Sequence, residues 1–543
     1  MTTQPPDGAQ PGDFTPVPVL SAATAERYRV RVLDPVTAVP KVGEDGEPAG
    51  PARPTAYVGD TLMVRGLPDG ARRAVLDELT ALLDELGLVG VVDESLDERV
   101  LRAAGDDESA RGILDRLWVT PVRLERRRPT DEETKQRLAE QGYEPERHPV
   151  DAWPVLQHLR SRGRTAAEVE LDHLVSAAPY WQGAPYWQGA PYWQGAPYWQ
   201  GAGSPEYAVP GTGGRGPVTL VVADPALRAR KVKRAPVVVV ADTAIGPHPW
   251  FENPDTVQRE TEVLGTLLGV DGPLNPLGPL PRNPLDGSLA AFAGHGTFIA
   301  GIIRQQCPEA HIIGVPVMYD DGYVPEDQLI RNLDLLLVRH VRAVQQGTPD
   351  ELLDVLSLSL GYYHESPEDE DSDVMLADVL REFGRYGVAV VAAAGNDATV
   401  APFHPAAFAP QPPDFDPDCV PLVSVGSLNP DGRTVSYFCN AGPWVSCQRL
   451  GANLVSTFPT DLDGDRQPSH RMPYGTSVRA CIDMDDFSGG FGTWSGTSFA
   501  APVLAGELAA CLVEDPQTPE TDRKAAVQRG WAAVSHELPG WVR

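Results

Sequence analysis

The sequence predicts an α/β protein in which a three-layer αβα domain with a mainly parallel sheet follows a small α+β N-terminal domain. Its length of 543 residues exceeds what a single core usually accommodates. After about residue 206, apolar runs of strand length alternate with amphipathic segments, which is typical of βαβ units and of a parallel sheet buried on both faces. A hexapeptide repeat separates this region from an earlier one in which strand and helix patterns mix.

The strands of the larger domain, residues 206–515, are expected where apolar residues run without alternation. These runs are 236–241, 311–318, 355–360, 388–394 and 420–427. Helices are expected at 326–346 and 373–386, where apolar residues recur at helical spacing. Catalytic groups in such sheets lie at the carboxyl ends of strands. Functional residues are therefore expected just after these runs.

Residues 21–177 are predicted to form the small α+β domain, whose role the sequence does not reveal. Strand patterns occur at 28–33 and 61–64, and helical spacing occurs at 73–88 and 153–175. The polar stretch 126–149 interrupts the domain. Residues 1–20, rich in Pro, Gly and Thr, are predicted to be a disordered tail. Residues 516–543 are predicted to be a C-terminal helical tail.

Four consecutive copies of Ala-Pro-Tyr-Trp-Gln-Gly begin at Ala178 and end at Gly201. Pro and Gly in every copy exclude a regular helix, and the composition differs from that of six-residue β-helix repeats. Residues 178–205 are therefore interpreted as an extended linker. An aromatic interaction strip is the alternative, because exposed Tyr and Trp are enriched at binding hot spots.

Composition restricts the class of partner. A formal charge of -30 and a pI of about 4.7 argue against a nucleic-acid partner, because affinity for phosphates comes mainly from Lys and Arg. The sequence has no uninterrupted apolar run long enough to span a membrane and begins without the basic and apolar regions of a secretory signal. A soluble cytoplasmic protein is expected, and its oligomeric state is left open.

No metal or other cofactor is expected. The six cysteines contain no CxxC pair, which disfavours a zinc site. Reduced, mostly buried thiols are favoured, although disulfides are possible. Carboxylates alternate from Asp461 to Asp465, but a twelve-residue loop starting there ends at Met472 instead of Glu, so the EF-hand pattern fails. A solvated acidic turn is the preferred interpretation.

Three motifs carry side chains suited to nucleophilic catalysis. Asp242 ends the apolar run that begins at Val237, and His295 lies between two glycines at the start of an apolar helix. Ser498 follows Gly-Thr and precedes small residues at the start of another apolar helix. Unpaired N–H groups and the positive dipole end at a helix N-terminus favour an oxyanion beside such a serine.

In the chain order Asp, His, Ser, these motifs resemble those of the subtilisin-like serine peptidases, the subtilases of peptidase family S8. The resemblance implies a subtilisin-like fold and a serine endopeptidase with Asp242, His295 and Ser498 as its catalytic triad. It also implies that Asn396, which follows the run 390–395, donates to the oxyanion. The segment Ser359-Leu360-Gly361 resembles the strand that pairs with bound substrate, so a polypeptide substrate is implied.

The resemblance extends from about residue 216 to residue 512 and includes departures. Ala244 stands where the family often has Gly, Phe298 where it often has a second His, and Phe499 where Met is frequent. Residues 255–290 and 457–489 are expected to be inserted loops.

Two alternative functions are a specialised processing protease with few substrates and a catalytically silent peptide-binding module on the same fold. Because the family often has an inhibitory N-terminal domain, residues 21–177 are also a candidate regulator.

An acidic segment follows the proposed substrate strand. Residues 362–373 contain six carboxylates, beginning with Glu365. If the strand pairs with a peptide, this loop leaves beside the non-primed side of the cleft and would favour Arg or Lys in the substrate. The alternative is a solvated loop without substrate contact.

Overall fold

The computed structural model describes residues 15–43, 46, 49–67, 73–127, 150–164, 168–177, 214–270, 282–283, 285–366, 374–513, 522–541 and 543. The predicted repeat linker lies outside the described residues, as do residues 1–14 of the predicted tail and residues 367–373 of the acidic segment.

The first region combines helices with an antiparallel sheet. Its elements are α1 (Ala22–Arg27), β1 (Val30–Val32), β2 (Ala56–Arg65), α2 (Arg73–Glu85), β3 (Leu88–Val92), α3 (Ser95–Ala104), α4 (Glu108–Leu117), β4 (Val119–Arg126), α5 (Ala152–Ser161) and β5 (Val169–Ala177). The strand order is β5-β2-β4-β3, and β1 pairs with β2. This arrangement confirms the predicted α+β class.

The prediction of a helix over 153–175 is wrong in its second half. Helix α5 ends at Ser161, Gly163 follows with φ +86°, and residues 169–177 form β5 instead. The strand is buried along almost its whole length, so no exposed face alternates with a buried one to give a strand pattern. Pairing with neighbouring strands decides its conformation.

The second region contains the remaining elements. They are β6 (Gly216–Pro217), β7 (Val237–Asp242), β8 (Val257–Gln258), β9 (Glu262–Val263), β10 (Thr266–Leu267), α6 (His295–Gln306), β11 (His311–Pro316), β12 (Tyr323–Pro325), α7 (Glu326–Gln346), β13 (Val355–Leu358), β14 (Leu360–Gly361), α8 (Val374–Arg385), β15 (Ala389–Ala393), β16 (Val423–Leu428), β17 (Cys447–Leu450), β18 (Leu454–Thr457), β19 (Arg471–Tyr474), β20 (Ser477–Ala480), β21 (Phe491–Trp494), α9 (Thr497–Val513) and α10 (Arg523–Glu537).

The central sheet has seven strands in the order β17-β16-β15-β13-β7-β11-β8, and every pair is parallel. Helices α6 and α9 pack against each other and the sheet, while α7 and α8 form a second contacting pair. Apolar runs such as β7 are buried throughout, as expected for strands covered on both faces. The predicted three-layer fold is confirmed.

The predicted C-terminal tail includes a packed helix. Helix α10 contacts α9, and the Trp531 side chain is buried between the elements of the core. Among the described residues, no helix is both long enough and apolar enough to cross a membrane. All six cysteines lie among the described residues as thiols outside any disulfide, and Cys307, Cys419 and Cys439 are buried. The predicted acidic turn has exposed carboxylates at Asp461, Asp463 and Asp465.

The two regions share a sheet. Strand β5 pairs antiparallel with β12 and with β14, so a strand of the N-terminal domain lies between two strands of the larger domain. Ser176 faces Tyr323 on one side and Gly361 on the other, and Ala177 faces Leu360. Side chains reinforce this junction, since Arg331 of α7 lies over the Trp118 ring at 5.3 Å.

Candidate active site

Asp242 and His295 form the first part of the site. Asp242 is the last residue of β7 and is fully buried, and His295 is the first residue of α6. The His295 Nδ1 lies 2.7 Å from Asp242 Oδ1, which also accepts a hydrogen bond from the Thr243 N–H at 2.7 Å. A carboxylate held in this way can orient the imidazole and stabilise its protonated form.

The glycines around His295 allow the helix to begin beside the strand. Gly294 has φ +85°, a left-handed conformation that favours glycine. A Cβ at Gly296 would overlap the carbonyl oxygen of Thr243, and the Gly296 N–H donates to Thr243 Oγ1 at 2.9 Å. Close approach of α6 to the end of β7 therefore requires glycine at position 296.

Aromatic rings surround the His295 imidazole. The centroids of Phe292, Trp494 and Phe499 lie 5.6, 5.5 and 5.2 Å from its own. Phe298 lies 4.6 Å from Phe499, so two of the positions at which the sequence departs from the subtilase pattern pack against each other. This apolar wall excludes water from the sides of the imidazole and strengthens its interaction with Asp242.

Ser498 lies at the N-terminus of α9, as the sequence predicts. It is the second residue of the helix and is buried. The Ser359 hydroxyl donates to the Ser498 carbonyl oxygen at 2.8 Å, and the Gly395 N–H donates to Thr497 Oγ1 at 3.1 Å. These bonds connect the start of α9 to the carboxyl ends of β13 and β15. Contact between Phe499 and the His295 ring brings the serine segment beside the Asp–His pair.

Asn396 also belongs to this end of α9. Its side-chain oxygen accepts a hydrogen bond from the Thr497 N–H at 2.8 Å, which fixes the orientation of the amide. The amide nitrogen lies near Gly496, 3.5 Å from the place that a Cβ there would occupy. A donor with this orientation, next to the first N–H groups of the helix, suits an oxyanion beside Ser498.

The predicted substrate strand is already paired. Leu360 and Gly361 form β14, and β5 occupies the groove between β14 and β12. The Ala177 N–H donates to the Gly322 carbonyl at 2.7 Å, and the Ser176 hydroxyl donates to the Gly361 carbonyl at 3.2 Å. The chain's own N-terminal domain thus fills the groove that the sequence assigns to a peptide. Because the sequence predicts a helix over 153–175, it does not indicate that a strand of this region pairs with β12 and β14.

A buried cluster of ionisable side chains, formed by His173, Glu326, Glu365 and His364, lies where β5 meets the larger domain. His173 Nδ1 is 2.6 Å from Glu326 Oε2, and His173 Nε2 is 2.8 Å from Glu365 Oε2. Burial alone lowers the pKa of His173, but the two carboxylates outweigh it and raise that pKa to about 10. The partners are far apart in sequence, so only the fold brings them together.

Two groups of described residues have the spacing of metal ligands. In the group of His173, His364 and Glu365, both His173 nitrogens face carboxylates, so an ion-pair network explains the arrangement. In the group of Cys511, His536 and Glu537, the thiol lies 3.3 Å from the imidazole. The nearby Arg449 guanidinium, 3.0 Å from Glu537, already supplies a positive charge there.

The fold and site define an α/β protein in which an aspartate, a histidine and a serine near a helix N-terminus lie at the carboxyl edge of a parallel sheet. Residues 278–533 match the family model described as the subtilase family of peptidase S8. Over these residues, just under half of the chain, the protein is similar to the subtilase family. The matched residues include His295, Asn396 and Ser498, whereas Asp242 precedes them.

Two curated relatives are serine proteases by name. The serine protease AprX of Bacillus subtilis (strain 168) is 26% identical over 336 residues, which cover 56% of this chain and 62% of that protein. An intracellular serine protease of Paenibacillus polymyxa is 25% identical over 236 residues, covering 40% of this chain and 53% of that protein. The aligned part of the chain thus spans less than two thirds of either relative.

The structure can also be compared with that of fervidolysin from Fervidobacterium pennivorans, described as a keratinolytic enzyme related to subtilisin. The sequences are 17% identical, the match covers 86% of this chain and 56% of that one, and the TM-score is 0.45.

Proposed function

We propose that this protein is a serine endopeptidase that cleaves polypeptides through Asp242, His295 and Ser498. The observation that carries the proposal is the 2.7 Å contact between His295 and Asp242 beside a serine at a helix N-terminus. The match of residues 278–533 to the subtilase family model supports it, and so do the names of the two serine protease relatives.

In this mechanism the Ser498 oxygen attacks the scissile carbonyl while His295 accepts the hydroxyl proton. Asp242 holds the imidazole in the correct tautomer and stabilises the imidazolium. Asn396 and the Ser498 N–H stabilise the oxyanion of the tetrahedral intermediate. His295 then returns the proton to the leaving amine. In the second half of the reaction, water attacks the acyl-enzyme carbonyl while His295 accepts a proton from it, and His295 returns that proton to Ser498 as the carboxylic acid leaves.

The substrate is proposed to bind as an added strand, in the place that β5 occupies. Backbone pairing with β12 and β14 gives affinity for extended peptides irrespective of sequence. The N-terminal domain would therefore compete with substrates, and activity requires β5 to leave the groove. We propose that residues 21–177 regulate the peptidase in this way.

A fluorophosphonate probe tests the catalytic proposal, because it forms a covalent bond only with an activated serine. We expect labelling of the wild-type chain and hydrolysis of an unstructured protein substrate, both lost in Ser498→Ala and His295→Ala with the fold retained. A folded wild-type chain that binds peptides but takes no Ser498-dependent label would instead be the catalytically silent module. Ser498→Ala with wild-type turnover would exclude the assignment.

The proposed partners are polypeptides only. The charge of -30 disfavours nucleic acid. A cytoplasmic location is also proposed, and one relative is named an intracellular serine protease. Fractionation of cells that produce the full-length protein, with antibody detection, tests the location.

A further inference from the structure

We propose that Glu326 and Glu365 form a subsite that binds a basic side chain of the substrate and so determines specificity. This inference rests on the proposed function, because it requires a substrate strand to replace β5 between β12 and β14. It assigns a role to buried groups that the reaction itself does not use.

The structure contains an occupied form of this subsite. The His173 ring lies between the two carboxylates, 2.6 Å from Glu326 and 2.8 Å from Glu365. It also stacks on the Tyr362 ring, with centroids 4.5 Å apart and an angle of 20° between the planes. Because both ring nitrogens face carboxylate oxygens, both donate, and the bound group is an imidazolium cation.

The two carboxylates and the Tyr362 ring of this subsite belong to the larger domain, whereas the His173 ring that occupies it belongs to the N-terminal domain. Glu326 is the first residue of α7 and directly follows β12, while Tyr362 and Glu365 follow β14. The Tyr362 hydroxyl donates to Glu326 at 3.0 Å. This hydrogen bond connects the segment after β14 to the start of α7. When β5 leaves, the subsite stays beside the two strands that pair with substrate.

The charge of the subsite becomes more negative when β5 leaves. The departing domain takes with it His173 and also Arg160, which lies 3.8 Å from Glu365. His364 is neutral, since its Nδ1 accepts from the Ser366 N–H at 2.9 Å and burial lowers its pKa. Burial likewise lowers the pKa of His404 to about 3. Two carboxylates are then left without a cation between them.

The subsite has capacity for a larger cation than imidazolium. Glu365 Oε1 is buried and has no hydrogen-bond partner among the described residues even with β5 bound. An Arg side chain has five donors in a planar fork and stacks on aromatic rings, so it can use this oxygen and the Tyr362 face together. A neutral side chain would leave both carboxylates unpaired, which is costly in a buried site.

The register fixes the position of the basic residue. Ala177 faces Leu360, so the residue in the position of His173 lies four places before the one that faces Leu360. The antiparallel register, continued by one residue, places the next peptide position opposite Ser359, whose hydroxyl donates to the Ser498 carbonyl oxygen, and we infer that this position contributes the scissile carbonyl. The basic residue is therefore expected five places before the residue that contributes the scissile carbonyl.

Matched peptides test the proposal on the full-length protein. They carry the sequence of residues 169–178 with a fluorogenic amide at the end, and position 173 is Arg or its uncharged analogue citrulline. We expect kcat/KM to be roughly 10- to 100-fold higher for Arg, since hydrogen bonds between charged groups are worth about 1.5–3 kcal/mol. The ratio of the two rates does not depend on the fraction of molecules whose groove is open.

The carboxylates are tested by Glu326→Gln and Glu365→Gln, each of which should bring the ratio towards one. Glu351→Gln is the matched control, because Glu351 is exposed and should leave the ratio unchanged. Equal rates for Arg and citrulline in the wild type would overturn the proposal, as would a ratio that both Gln variants retain.

Binding separates this proposal from the catalytic one. The same peptides are titrated against the full-length Ser498→Ala/His173→Ala chain, in which no turnover is needed and the His173 ring no longer lies between the two carboxylates. Tighter binding of the Arg peptide supports the subsite even if the wild type proves catalytically silent. Equal binding overturns the subsite even if the wild type is an active peptidase.

Discussion

Replacing His173 by alanine is expected to weaken the attachment of β5 and expose Ser498. His173, Glu326 and Glu365 are each no more than 1% exposed, and the alanine removes the cation between two carboxylates. Leaving a buried charge without its partner costs about 3–5 kcal/mol. Since 1.4 kcal/mol is a factor of ten, the fraction of molecules with an open groove should increase by about 100- to 4,000-fold.

The pH dependence has a definite sign. The pKa of His173 rises from about 6.5 when exposed to about 10 in the structure, because Glu326 and Glu365 outweigh the effect of burial. The attachment is therefore complete below about pH 6.5 and weakens as the pH rises towards 10. The rate at which Ser498 is labelled in the wild type should increase across this pH range. The labelling rate of His173→Ala should not show this increase.

The assay is the pseudo-first-order rate of fluorophosphonate labelling of the full-length chain between pH 6 and 10. His158→Ala is the matched control, because His158 is an exposed histidine in the same domain. Thermal unfolding establishes that each variant is folded. Equal labelling rates for His173→Ala and wild type at pH 7, with both folded, would refute the reasoning, as would identical pH profiles.

Three further substitutions address the site and its support. Gly296→Ala should lower the peptidase kcat, because its Cβ would overlap the Thr243 carbonyl and displace α6; Gly489→Ala, with open space around it, is the control. Asn396→Ala should lower kcat by about 10²- to 10³-fold with little change in KM, and an unchanged kcat would argue against an oxyanion role. Asp354→Asn should lower the free energy of unfolding by about 3–5 kcal/mol, since this buried carboxylate binds two arginines and the start of β7. Urea denaturation measures that loss, and exposed Asp350→Asn should show none.

The sequence predicted the parallel sheet well because its strands are buried on both faces. A run such as Val237–Asp242 is apolar without interruption, and its position does not depend on distant contacts. The same logic located Asp242, His295 and Ser498 at carboxyl ends of strands or at helix starts. Local conformation was enough to predict these residues, because each motif combines a reactive side chain with the small neighbours that let it approach.

The acidic subsite could not be predicted from the sequence. Glu365 belongs to a run of carboxylates that is typical of a solvated loop, yet it is buried beside His173. Glu326 begins a helix, where an acidic residue is common without any special role. Their function depends on a third residue from another domain, and a pairing of this kind leaves no local pattern.

Strand β5 escaped prediction for a related reason, since it contributes to different cores along its length. Val169 and Leu171 pack in the core of the N-terminal domain, whereas Val175 and Ala177 pack in the core of the larger domain. Neither half has a solvent-facing side that would give the alternating pattern of a strand.

The division of β5 between two cores also couples the two domains, because the C-terminal half of β5 can leave the groove only by exposing apolar side chains to water. Burial of that half therefore favours the closed state, and the His173 cation adds the part of the attachment that pH can change.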